Sequence, residues 1–218
     1  MKIKEIGLVN SLRMNYHYFG WGDLGVMHHY IIASRNVKIK KLGGSIVLKD
    51  ICPGTKMRIG FSDVGTIDVR EKKTIWDNQG EIVLNGTIDI GAGSRISNKG
   101  HLVFGNNVHF TANADIICHK KIEFGEENLI SWDCLFMDTD FHKVYSIKNL
   151  EKQLNEPKPI YIGKNVWIGC RCTILKGSSI EGESIVAAGT TISKKYMDRN
   201  IIIGSNNKIL KQQITWRF

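Results

Sequence analysis

Among the seven histidines of this chain, His142 stands at the end of an acidic run, Asp138-Thr139-Asp140-Phe141-His142. Imidazole titrates near neutral pH, so it can take a proton from a reacting hydroxyl and release it afterwards. A carboxylate that keeps one ring nitrogen protonated leaves the other free as the base. Asp138 and Asp140 are the candidates for that role. Asp140, two positions before His142, faces the same side of an extended chain. Cys170 and Cys172 offer a second chemistry, because thiolates accept acyl groups. The plain structural readings are solvated loop carboxylates and a cysteine that serves as a small hydrophobe.

A repeat sets the elements that must position these groups. From Ile162 onward, branched aliphatics recur every six residues, at Ile162, Ile168, Ile174, Ile180, Val186 and Ile192. Small residues follow four positions later at Val166, Cys172, Ser178, Ser184 and Thr190. A period of six is neither the helical 3.6 nor the simple strand period of 2. It fits a short strand plus a turn, with one aliphatic pointing inward from each flat face. Three faces make a triangular coil of about 18 residues, and such coils stack by parallel hydrogen bonding. Glycine and asparagine serve the corners.

Upstream the period continues with slips of two residues. Leu84, Ile90, Ile96 and Leu102 form one series, Phe104, Phe110, Ile116 and Ile122 a second, and Phe124, Ile130 and Phe136 a third. Each slip marks a corner insertion or a bulge. Earlier strands are less regular, at Ile46–Leu48, Met57–Gly60 and Ile67–Val69. The expected organisation is a cap segment, 1–36, followed by an all-β parallel solenoid over 37–218. Met14, Tyr16, Tyr18, Phe19 and Trp21 form the aromatic cap, which would cover the open end of the stack. The hexads stop before His142, and residues 143–159 form a protruding loop. Solenoid insertions gather on the binding face, so a histidine at the root of one is well sited to meet a ligand.

The composition is that of a soluble globular protein: 42% hydrophobic, 23% charged, 3 prolines against 22 glycines. The net charge of +9 suits a polyanionic small molecule, anionic lipid or nucleic acid, but no compact basic run with interleaved aromatics favours nucleic acid. Five cysteines without a CxxC pair, and no signal-like start, are expected of a cytoplasmic protein. No apolar run has the length of a transmembrane segment.

Asn165-Val166-Trp167-Ile168-Gly169, Ile174-Leu175-Lys176-Gly177 and Val186-Ala187-Ala188-Gly189-Thr190-Thr191-Ile192-Ser193-Lys194 resemble the hexapeptide-repeat acetyltransferases. Ile130-Ser131-Trp132 with the Asp-x-Asp-x-His run is similar to the branch that acetylates capsule, exopolysaccharide and other sugars. The resemblance covers roughly residues 80 to 211. It implies a left-handed parallel β-helix, a homotrimer, and acetyl-CoA in the crevice between subunits, with no metal. Left-handedness is implied by the resemblance alone, because ordinary crossovers are right-handed.

The implied activity is O-acetylation of a sugar or glycan hydroxyl in surface polysaccharide synthesis, in the cytoplasm near the inner face of the membrane. His142 would be the base. Trp167, Gly169, Cys170 and Ala188 would line the pantetheine arm, and Ser193, Lys194, Lys208 and Lys211 the phosphate end of the coenzyme. Trp132, Asn113, His119 and Tyr145 are candidate acceptor contacts, since rings stack on sugars and amides hydrogen-bond them. The family's usual Gly-x-Pro-Ala is replaced here by Gly204-Ser205-Asn206-Asn207, which alters the turn before Lys208 and Lys211. N-acetylation of a nucleotide-linked amino sugar is the alternative reading. A zinc enzyme like the γ-class carbonic anhydrases would need a His-x4-His spacing that the chain does not have. A non-catalytic glycan-binding solenoid would not require the Asp-x-Asp-x-His run.

Overall fold

The aliphatics from Ile162 to Ile192 are all buried, as are the small residues Val166, Cys172, Ser178, Ser184 and Thr190. The computed structural model describes residues 5–20, 29–49, 56–61, 64–68 and 71–217. In it, strands stack in parallel on three faces, eight on the first and seven on each of the others, and an antiparallel ninth strand closes the first face. One turn of the stack consists of Val108–Ala112, Asp115–Cys118 and Lys121–Phe124. Inward residues lie beside inward residues of the next coil: Ile90 beside Phe110 beside Ile130, and Ile96 beside Ile116 beside Phe136. The middle of the core is aromatic. Phe104 and Phe124 stack with centroids 5.4 Å apart, and Phe136 meets Phe124 edge-on at 4.9 Å.

The slips are corner insertions. Ile96 and Ile116, neighbours across coils, are 20 residues apart, whereas Ile174 and Ile192 are 18 apart. The extra residues fall between the second and third faces. There Cys118 reaches Ile122 through His119, Lys120 and Lys121, while Lys176 reaches Ser178 through Gly177 alone. The protruding segment leaves from this same corner one coil later. It is an antiparallel hairpin of Tyr145–Ser146 and Asn149–Gln153, between strands Leu135–Met137 and Ile160–Ile162.

The N-terminal segment contains a helix, Leu8–Phe19, that an all-β reading did not anticipate. It ends at Gly20 with φ +65°, where a side chain would be strained. Met14 is fully buried, and Tyr18 accepts the Trp76 indole N–H at 3.0 Å. Asn15 donates to the Ile31 carbonyl at 2.7 Å and accepts its N–H at 3.0 Å. Ser11 accepts the Ala33 N–H at 3.0 Å. Polar side chains of the helix thus satisfy part of the exposed edge of the first strand, Ile31–Ala33, which precedes residue 37. Trp21 of the aromatic group lies outside the described residues. Ile67 and Asp68 are not in a strand, and the second face of that coil is Thr74–Asn78 instead. Val69 lies outside the described residues.

Candidate active site

Asp138 closes the last regular corner. Its fully buried carboxylate accepts the backbone N–H groups of His119, Lys120 and Lys121 at 2.7, 2.7 and 2.8 Å. In the lower coils the same corner is held by buried asparagines, with the Asn98 amide donating to Asn78 at 2.8 Å. Asp138 belongs to that ladder and does not orient His142. Its position one residue beyond Met137 keeps it on the inward side of the strand, which corrects its expected role.

The chain breaks outward after Asp138. Phe141 adopts φ +61° and lies edge-on to the His119 ring at 5.2 Å. His142 follows on the exterior, exposed, and not in the inward slot that counting six from Phe136 gives. Asp140 does not engage its ring either. The Asp140 carboxylate is paired with Lys176 and accepts the Asn155 amide at 2.8 Å. Those two contacts hold its carboxyl below the ordinary carboxylate range. Asn155 also donates to the His142 carbonyl at 2.8 Å and accepts the Val144 N–H at 2.7 Å. Lys176 reaches the Asn155 carbonyl at 3.0 Å. The root of the hairpin is therefore clamped at His142's main chain, and among the described residues no hydrogen bond or ion pair occupies its ring. Asn155 lies in no motif, and the motif that contains Lys176 does not reveal its pairing with Asp140.

Trp132, Cys170 and Ala188 stack at a different corner, between the first and second faces. The alternate corner residues Asn113, Asp133, Arg171 and Gly189 all have positive φ. The N–H of Asp133, Arg171 and Gly189 bonds down to Ala112, Trp132 and Cys170. Among the described residues, the N–H groups of Trp132, Cys170 and Ala188 have no acceptor. Gly169 permits this close stacking, since a Cβ there would lie 2.6 Å from the Ala188 nitrogen. Cys172 is sealed in the core, and Cys170 is half-buried.

The other candidates divide between the corners. Asn113 lines a cavity of about 130 Å³ with Lys72, Arg95 and Asp133, and its side-chain oxygen is buried with no hydrogen-bond partner. Buried His119 Nε2 also has none, beside Phe141, and Tyr145 lies on the hairpin. Trp167 is 38% exposed on the first face and donates to Ser131 at 3.2 Å. Near the last coil Ser193, Lys194 and Lys208 gather: Asn207 donates to Ser193 at 3.5 Å, and Lys194 lies 5.0 Å above the Tyr196 ring. In place of Gly-x-Pro-Ala, Asn206 and Asn207 both take positive φ, turning the chain back as the antiparallel strand Lys208–Gln212. Lys211 is carried away onto the first face beside Ile202.

No family model matches the chain. An uncharacterized 24.8 kDa protein in the cps region of Klebsiella pneumoniae is 27% identical over 86% of this chain and 81% of its own length. The polysialic acid O-acetyltransferase of Escherichia coli O1:K1 is 26% identical over 57% of this chain and 41% of its own. This chain thus spans less than half of that relative. Among solved structures, the polysialic acid O-acetyltransferase OatWY superposes with a TM-score of 0.54 at 21% identity, over 80% of this chain and 77% of that one. The stack of parallel faces is a left-handed β-helix.

Proposed function

We propose that this hexapeptide-repeat acetyltransferase moves an acetyl group from acetyl-CoA to a sugar hydroxyl of a surface polysaccharide, with His142 as the base. The observation that carries the reading is the free, exposed imidazole of His142 on a main chain clamped by Asn155. The hydroxyl oxygen attacks the thioester carbonyl while its proton passes to a nitrogen of His142. The tetrahedral oxyanion takes hydrogen bonds from main-chain N–H groups, for which the unclaimed amides of Cys170 and Ala188 are suited. Collapse breaks the carbon–sulfur bond, and the imidazolium proton goes to the leaving thiolate. The product is an ester.

The two half-sites lie on different corners of one subunit, so we assign the complete site to a subunit interface within a homotrimer. The second face between those corners supports this reading, because its outward Ile117, Leu135, Met137 and Leu175 are half-buried and apolar. The third face is charged and paired, with Glu81–His101 at 2.7 Å and Lys121–Glu123 at 2.7 Å. Trp167 and Gly169 would flank the pantetheine, and Ser193, Lys194 and Lys208 the coenzyme phosphates. Trp132, Asn113, His119 and Tyr145 would meet the acceptor. Acetyl-CoA as donor implies work in the cytoplasm.

The test is mass spectrometry of capsular and O-antigen glycans incubated with the enzyme and acetyl-CoA. An alkali-labile gain of one acetyl group is expected. An alkali-stable acetamide on an amino sugar, or no transfer to any glycan, would overturn the reading.

A further inference from the structure

The helix Leu8–Phe19 presents two distinct sides. One side carries Ser11, Met14 and Asn15 into the solenoid. The other leaves Leu8, Val9, Leu12 and Tyr16 exposed at 68%, 70%, 43% and 54%. At 3.6 residues per turn these positions share a stripe roughly 100° wide, flanked by Arg13 and His17. Scattered single apolar residues on a surface need no explanation, but a contiguous stripe marks an interaction site.

The charge around the stripe says what covers it. Among the described residues from Glu5 to Lys49, six are basic (Arg13, Arg35, Lys38, Lys40, Lys41 and Lys49) and one, Glu5, is acidic. In the full sequence, residues 1–49 hold eight basic side chains against Glu5 and Asp23, a net +6 of the chain's +9. Lys38, Lys40, Lys41 and Lys49 are exposed on the first coil, and none of the six forms an ion pair among the described residues. On the third face, by contrast, Lys121 pairs with Glu123 at 2.7 Å. A second copy of this chain would bring the same uncompensated cations against themselves. An exposed apolar helical stripe at the same end of the stack as these cations matches a bilayer with anionic headgroups, where apolar area inserts and the cations meet phosphates.

We propose that the cap helix and the first coil dock the protein end-on to an anionic lipid bilayer. The hairpin leaves the fifth coil of the stack. At about 4.8 Å per strand spacing, His142 then stands roughly 20 Å above the docked end. That height suits an acceptor sugar held out from the bilayer, not one at the headgroups. The height argument rests on the proposed role of His142, whereas the docking itself does not.

The test is co-sedimentation of the full chain with phosphatidylcholine vesicles, with and without phosphatidylglycerol, in the absence of donor and acceptor. Binding that requires phosphatidylglycerol and weakens with salt is expected. Leu8→Asp with Leu12→Asp should abolish it. Lys38→Gln, Lys40→Gln and Lys41→Gln together should lower the partition coefficient on the order of a hundredfold, at about 1 kcal/mol per cation. Both variants should keep the wild-type circular dichroism and transfer acetyl groups to a water-soluble acceptor normally. Three outcomes would overturn docking: no binding, equal binding to neutral vesicles, or a Leu8/Leu12 variant that lowers the oligomeric mass while lipid binding persists. Loss of transfer with lipid binding intact would refute the acetyltransferase reading and leave docking standing.

Discussion

The amide nitrogen of Asn155 lies 2.8 Å from the main-chain oxygen of His142 and 2.8 Å from the carboxylate of Asp140. A residue on the return side of the hairpin therefore fixes the start of its outward leg. Asp140 is spent on Asn155 and Lys176, so the imidazole takes no carboxylate from its own run.

Replacing His142 with alanine should cost acetyl transfer about 10²–10⁴-fold, the ordinary contribution of a general base. His142 is exposed, and its main-chain contacts survive the change, so thermal unfolding should stay as in wild type. Near-normal turnover in the variant removes His142 from the mechanism.

Asn155→Ala should lower kcat by roughly tenfold to a hundredfold, because small misplacements of a reacting group cost that much. KM for acetyl-CoA should change little, since the proposed coenzyme contacts lie elsewhere. Lys176→Met should act in the same direction and Lys176→Arg should restore activity. A purely structural role predicts instead a loss of folded protein at unchanged kcat per active site.

The clamp also sets a pH response. Asp140's folded pKa is lowered, first by Lys176 and then by Asn155. A lowered carboxylate contributes stability that is present above its unfolded pKa and lost as pH falls through the folded value. Hairpin order, followed by limited proteolysis, should thus persist through the ordinary carboxylate range and fail only below it. Lys176→Met should move that failure upward in pH. An onset that is identical in both proteins dissociates the hairpin from the Lys176–Asp140 pair.

Asp138→Ala leaves three backbone donors at the corner without their acceptor. The expected loss is about 3 kcal/mol, a fall in Tm of roughly 6–12 °C for a chain of this size. Asp138→Asn, which keeps one acceptor oxygen, should lose less. A stable Asp138→Ala protein that is catalytically dead would return this carboxylate to the chemistry.

Much of the architecture was legible in the sequence. In the 18-residue coils each face buries one aliphatic, six residues from the next, while the longer coils bury two from the third face, as at Ile122 and Phe124. Ile162 through Ile192, and the slips ahead of Phe104 and Phe124, therefore reported both the stack and the corner that later throws out the hairpin. The break of the period also located His142 at the root of that insertion.

The tertiary structure alone decided what the period does not encode. Asp138 and Asp140 look equivalent in sequence. One points inward to the corner amides of the preceding coil, and the other points outward to a lysine of the following coil. Asn155 and Lys176 act from distant positions because a hairpin folds back and a coil returns. The helix carrying Met14 forms because its polar side chains can satisfy a strand edge that exists only once the stack is built. A repeat fixes which residues face the core through burial, which each residue carries with it. Hydrogen-bond and charge partners depend on which coils and loops come to lie side by side, and that is a property of the folded chain.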